Sequence, residues 1–173
     1  KIIDPKTHKE LHGDEKGVLV VKGPNITDGY LNDEELTKTS FTKEGYLISG
    51  DIAYMKGDYI YICGRCDDIF CVGGEKVAPL EIERALNMNP AVEMSAVVPL
   101  PDIQRGNVPV AFIKLKSSIS KKDIINQLEK ELVISKIPQL FYEVNSFPVT
   151  PNGKILRKKL NINNSAYIIR EIN

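Results

Sequence analysis

Hydrophobic and polar positions divide the chain into two stretches with different grammar. In the first, short apolar runs alternate with turn residues. Gly17-Val18-Leu19-Val20-Val21 reads as a buried strand ended by Lys22-Gly23-Pro24-Asn25. Glu34 to Thr39 predicts a helical turn. Gly45-Tyr46-Leu47-Ile48 and Ile52-Ala53-Tyr54-Met55 read as two strands on either side of Ser49-Gly50-Asp51. Lys56-Gly57-Asp58 turns the chain into Tyr59-Ile60-Tyr61-Ile62-Cys63, whose β-branched and aromatic residues suit a pleated surface.

Beyond Arg65 the pattern lengthens. Ile69-Phe70-Cys71-Val72 and Lys76-Val77 flank Gly73-Gly74 as a short hairpin. Pro79 to Leu86 predicts a helix, with proline in its first turn and acids near its positive end. Two apolar strands follow, Val92 to Pro99 and Val108 to Leu115. Ser120-Lys121-Lys122-Asp123 opens a second helix in the manner of a capping box, and Ile124, Ile125, Leu128 and Leu132 give it an apolar face. Leu140 to Val144 reads as a strand and Ile155 to Leu160 as a short terminal helix. The order ββαββαβα predicts a compact α+β domain behind a small β-subdomain. The expected division is residues 1–66 and 67–173, with the boundary inside Arg65 to Asp68.

Composition narrows the class. Of 173 residues, 42% are hydrophobic and 27% charged, the balance of an ordinary globular protein. Lysine plus arginine equals aspartate plus glutamate at 23 each, so no bulk field favours nucleic acid or an anionic membrane. No apolar run approaches the roughly 18 residues that cross a bilayer. Three cysteines form no even disulfide framework, which suits a reducing, cytoplasmic setting. Cys63-x-x-Cys66 is half of a zinc or redox motif, but the two histidines, His8 and His12, lie far upstream. The chain opens on Lys1 in what reads as the middle of a domain, so a fragment of a longer protein is expected.

Four places offer chemistry. Asp51 is either a turn residue or a carboxylate whose two oxygens match a vicinal diol. Arg65, fourteen positions on, is either a salt-bridging surface residue or a forked cation for phosphate or ribose oxygens. Asp67 and Asp68 serve as turn formers, or Asp67 as a pivot whose backbone angles change when one domain swings on another. Lys154 follows Thr150-Pro151-Asn152-Gly153, a strong turn signal that displays it on a loop. There it is one more solvated lysine, or an ammonium that bridges a carboxylate and a phosphate oxygen.

Taken together, these segments resemble the C-terminal part of adenylate-forming enzymes: acyl- and aryl-CoA synthetases, peptide-synthetase adenylation domains and beetle luciferases. The resemblance runs from Gly17 to Leu160. It includes Gly23-Pro24 with Gly29-Tyr30-Leu31-Asn32, the stretch from Gly45 to Asp51, and Gly64-Arg65-Cys66-Asp67-Asp68 with Glu81-Ile82-Glu83 as the hinge motif. Pro148 to Lys154 corresponds to the final catalytic motif.

That resemblance implies a two-step ligase. A carboxylic acid attacks the α-phosphate of ATP, with Mg, to give an acyl-adenylate and pyrophosphate; a thiol, usually of coenzyme A, then displaces AMP. By the same resemblance Asp51 holds the ribose hydroxyls and Arg65 contacts the nucleotide. Lys154 stabilises the adenylation transition state, Asp67 is the hinge, and Gly73 and Gly74 line the pantetheine passage. Ile48 and Ser49 stand where the family often has arginine and threonine, so the hydroxyl is kept and the arginine's contact is lost. The family's phosphate loop and adenine motif lie upstream of this chain. The chain is therefore expected to pack on a large N-terminal domain and to be inactive alone, with fatty-acid metabolism as one setting. Two alternatives stay open: a domain loading a carrier protein, and a non-catalytic binding module using Lys154, Arg157, Lys158 and Lys159 as a basic patch for RNA or an acidic partner.

Overall fold

Short β-branched segments build the first of two units, Lys1–Asp68 and Ile69–Asn173. The structure is a computed structural model and describes residues 1–163 and 166–173. In the first unit, β1 (Ile2–Ile3), β2 (Glu10–Leu11), β3 (Gly17–Val21), β4 (Leu47–Lys56) and β5 (Tyr59–Arg65) form an antiparallel sheet in the order β2-β1-β3-β4-β5. Ile3, Val18 and Val20 are buried at its centre, with Tyr46, Ile48, Ile52 and Cys66 packed against them. The helix α1 (Glu34–Ser40) starts on Asp33, whose side chain accepts from the Leu36 amide at 2.9 Å. Glu34 and Glu35 sit in its first turn, where the helix end is positive.

Two features of this unit differ from expectation. β1 and β2 have two residues each, too few to leave a hydrophobic period in the sequence. β4 runs unbroken through Ser49-Gly50-Asp51, where two strands were expected. The reason lies in the pairing. Val18 faces Ile52 and Val20 faces Ile48, so two steps along β3 match four along β4. The extra residues are absorbed as a bulge, which re-aims side chains without ending the strand.

The second unit begins with β6 (Phe70–Val72) and β7 (Glu75–Val77), a hairpin of two strands. After α2 (Pro79–Asn87) come β8 (Val92–Asp102), β9 (Gly106–Leu115), α3 (Lys121–Leu128), β10 (Leu140–Val144) and β11 (Ile168–Glu171). The sheet order is β11-β10-β9-β8, and only the β9–β10 pair is parallel. A parallel pair needs a crossover, and α3 provides it. Ser120 caps α3 by accepting from the Asp123 amide, while its hydroxyl donates to the Asp123 carboxylate.

β9 shows why its sequence is an almost continuous apolar run. Ala111 and Ile113 pack towards α2 and α3, with Ile82, Leu86, Ile124, Leu128 and Phe141. Val110 and Phe112 face the other way, against Ala96, Val144 and Leu160. Both faces are covered, so no position alternates to solvent. The α+β class read from the sequence is the observed one.

The end of the chain differs. Ile155 to Leu160 contains only a 3₁₀ turn over Arg157–Lys159, where a short helix was expected. Ile155 is committed to an antiparallel bridge with Val149. That leaves too few residues beyond it for an α-helix to repay its costly first turn.

Candidate functional site

The β4 bulge creates the first cluster. Asp51 stands opposite Arg65 across the β4–β5 pair, and Arg65 Nη1 donates to Asp51 Oδ1 at 3.1 Å and to the Ser49 carbonyl at 3.2 Å. The Ser49 hydroxyl accepts from the Asp51 amide at 3.0 Å. Asp51 Oδ2 has no partner among the described residues. Both side chains are substantially exposed, so the pair itself contributes only about 0–1 kcal/mol. Its effect is orientation: one carboxylate oxygen is held by the guanidinium.

Gly50 makes this geometry possible. Its φ is +75°, and a Cβ there would lie 2.7 Å from Arg65 Nη2. The guanidinium therefore crosses directly over the glycine. Gly50→Ala is expected to cost about 1–2 kcal/mol, from the left-handed backbone, and to push Arg65 off Asp51. Chemical denaturation of the two proteins checks this; an unchanged midpoint refutes it.

β5 runs straight into a 3₁₀ turn over Cys66–Asp68, the last residues of the first unit. Asp67 is exposed in it. Burial pushes the Cys66 thiol up, and Asp67 beside it adds to the effect, so this sulfur stays protonated near neutral pH. Cys63, Cys66 and Cys71 are all free thiols.

In the second unit Gly73 and Gly74 form the two-residue turn of the β6–β7 hairpin, both at positive φ, with open space where side chains would stand. The Gly73 amide donates to the Arg105 carbonyl at 2.9 Å. Lys154 sits on a different loop. The Gly153 amide donates to the Thr150 carbonyl at 2.9 Å, the Thr150 amide to the Lys154 carbonyl at 2.8 Å, and the Lys154 amide to Thr150 Oγ1 at 3.0 Å. The backbone around Lys154 is thus tied at both ends. Its ammonium is exposed and has no partner among the described residues.

One pair escaped the sequence reading. Glu83 on α2 is an acidic residue that is only 5% exposed. Its carboxylate accepts from Arg157 Nε at 3.2 Å and from Arg157 Nη2 at 2.9 and 2.7 Å. Oε1 also accepts from the Val97 amide of β8 at 2.8 Å. Polar atoms this buried need such hydrogen-bond partners. A signal was present: Pro79, Ile82, Glu83 and Leu86 form one helical stripe at i, i+3, i+4, i+7, and Glu83 is its only acid. Among the described residues, no buried side-chain nitrogen or oxygen lacks a hydrogen-bond partner.

Residues 81–154, within the second unit, match the AMP-binding enzyme C-terminal domain. The whole chain has the fold of the C-terminal part of adenylate-forming CoA synthetases. It superposes on o-succinylbenzoate CoA synthetase of Bacillus subtilis, in complex with the acyl-adenylate intermediate, with a TM-score of 0.85 and 30% identity. That match covers 93% of this chain and 33% of the other. ATP-bound MatB of Rhodopseudomonas palustris gives a TM-score of 0.83 at 31% identity, covering 91% of this chain and 32% of that one. In sequence it is 38% identical over 163 residues to 4-coumarate–CoA ligase 2 of Nicotiana tabacum, and 38% over 161 to 4-coumarate–CoA ligase of Pinus taeda. Each alignment covers 92% of this chain and 30% of the relative, so the chain spans under a third of those enzymes.

Proposed function

We propose that this chain is the C-terminal part of an ATP-dependent acid–CoA ligase that makes an acyl-adenylate and then an acyl thioester. The observation that carries this reading is Lys154, an exposed ammonium on a backbone tied by three hydrogen bonds, inside the recognised domain. A compact cation held this way suits the charge that grows between an attacking carboxylate and the α-phosphate. Asp51 is oriented for the ribose diol by Arg65, whose remaining donors suit nucleotide oxygens. Asp67 is the pivot, and the Gly73-Gly74 turn borders the route of the pantetheine arm.

In this reading, ATP with Mg and the acid are held mainly by a large N-terminal domain on which this chain packs. Coenzyme A is the thiol acceptor. The ligase names of the relatives support that choice over a carrier protein. The acid is an organic carboxylic acid, with fatty acids among the candidates. Free thiols fit a cytoplasmic setting. Among the described residues no helix is long and apolar enough to cross a membrane. Arg157, one of four cations in the suggested basic patch, is committed to Glu83, which weakens the nucleic-acid alternative.

The test is pyrophosphate exchange by the complete enzyme that carries this chain, against a panel of carboxylic acids. Exchange that depends on one class of acid, followed by thioester formation with coenzyme A, is the expected result. A folded enzyme with no exchange for any acid overturns the proposal.

A further inference from the structure

We infer that the buried Glu83–Arg157 pair is a positioning device for Lys154, coupling the loop that carries it to the core of its unit. This inference rests on the role proposed above for Lys154.

The geometry runs in one direction. Glu83 is fixed first, because α2 is anchored by buried Ile82, Ala85 and Leu86. Its carboxylate is locked further by the Val97 amide of β8, a bond that needs no contribution from the loop. Ser95 Oγ donates to the Glu83 carbonyl at 3.3 Å and to Asn87 Oδ1 at 2.8 Å, tying the same helix to the same strand. Onto this fixed carboxylate Arg157 sets a fork, with Nε and Nη2 both engaged. A bidentate guanidinium fixes direction as well as distance.

Arg157 lies three residues beyond Lys154 and opens the 3₁₀ turn Arg157–Lys159. Between them, the Ile155–Val149 bridge and the Leu156 amide, bonded to the Pro148 carbonyl at 2.8 Å, zip the two arms of the loop together. Leu160 is buried just after the turn. The loop is therefore short, closed at its neck and clamped at one foot by an ion pair. Displacement of the clamp moves the neck, and the neck carries the lysine. The residues touch no substrate in this scheme; they act through Lys154.

The partners are unequal in exposure: Glu83's side chain is 6% exposed and Arg157's 31%. Truncating Arg157 would leave the Glu83 carboxylate without its charge partner in the core, so each variant keeps either the cation or the acceptor. Arg157→Lys keeps the charge but loses the fork. Glu83→Gln keeps an acceptor for the Val97 amide while removing the charge.

The experiment measures both half-reactions in the complete enzyme by single turnover: adenylation from acid and ATP, and thioester formation from supplied acyl-adenylate. It compares wild type, Arg157→Lys, Glu83→Gln, Lys154→Ala and the double Lys154→Ala/Arg157→Lys. Misplacing a reacting group by about an ångström costs up to about a hundredfold. Arg157→Lys and Glu83→Gln are thus expected to slow adenylation about ten- to a hundredfold and leave thioester formation within about twofold. Arg157→Lys should add nothing once Lys154 is gone, because a clamp has no effect without its load. Amide hydrogen exchange across residues 148–156 should quicken in both clamp variants.

Equal losses in the two half-reactions, an added loss in the double variant, or unchanged exchange across the loop each overturn the inference. A role in folding alone gives the first two of these patterns. If Lys154→Ala itself adenylates at the wild-type rate, the role proposed for Lys154 fails and the inference falls with it. Quickened exchange in the clamp variants then identifies the failure as one of function and not of coupling.

Discussion

Lys154→Ala in the complete enzyme is expected to slow acyl-adenylate formation about a hundred- to a thousandfold, the usual loss when one transition-state contact is removed. Thioester formation from supplied acyl-adenylate should change little. The asymmetry follows from where charge develops. In adenylation a carboxylate closes on a phosphate, and an ammonium between them lowers the repulsion as the new bond forms. In the second step the bond to AMP breaks and a neutral thioester results, so that repulsion is no longer being built. The structure adds a reason to expect a clean result. Lys154 is exposed and has no side-chain partner among the described residues, while the turn around it is held by backbone atoms and by Thr150. Truncating the side chain leaves those bonds intact. Single-turnover measurement of each half-reaction decides the matter, and comparable loss in both sinks the assignment.

Asp67→Pro is the second large effect. Proline sets φ near −65°, within the range of the 3₁₀ turn that Asp67 occupies, and removes the other settings a pivot needs. An enzyme that must reorient between its steps is then held in one arrangement. One half-reaction should fall at least about a hundredfold, the scale of loss when reacting groups are misplaced, and the other should persist. Measuring the two half-reactions separately, with thermal unfolding to show that the variant is folded, is sufficient. If both proceed at wild-type rates, Asp67 is not the pivot. The position favours a backbone test over a side-chain test, because the Asp67 side chain is exposed and any role it has as a hinge belongs to φ and ψ.

The two expectations are independent in mechanism. One removes a charge and leaves the backbone; the other restricts the backbone and leaves Lys154 untouched. Asp67→Pro combined with Lys154→Ala should therefore show both losses if proline spares the thioester-forming arrangement, since each acts on a different property of the adenylation step.

Legibility in the sequence varied with the range of the interactions. α2 and α3 were readable because their start signals are local: proline and acids in the first turn of one, the Ser120–Asp123 cap of the other. β8 and β9 were readable from apolar runs. The Lys154 turn was readable because Pro151-Asn152-Gly153 has few other conformations. β1, β2 and β11 were missed. The first two are too short for a period, and β11 lies on the sheet edge with mostly exposed residues, so burial left no pattern. Ser49-Gly50-Asp51 looked like a break because glycine usually punctuates strands; pairing with β3 turned it into a bulge.

By itself the sequence determined the class of fold and the loop that presents Lys154. Those properties depend on backbone preferences and side-chain type within a few positions. Only the tertiary structure decided that Asp51 and Arg65 are partners, through cross-strand register, and that Glu83 binds Arg157, seventy-four residues away. A buried acid and a partly exposed arginine each look ordinary in a linear chain. They become a pair because α2 and β8 fix the carboxylate and the loop after Lys154 brings the guanidinium to it, and local preference does not encode that meeting.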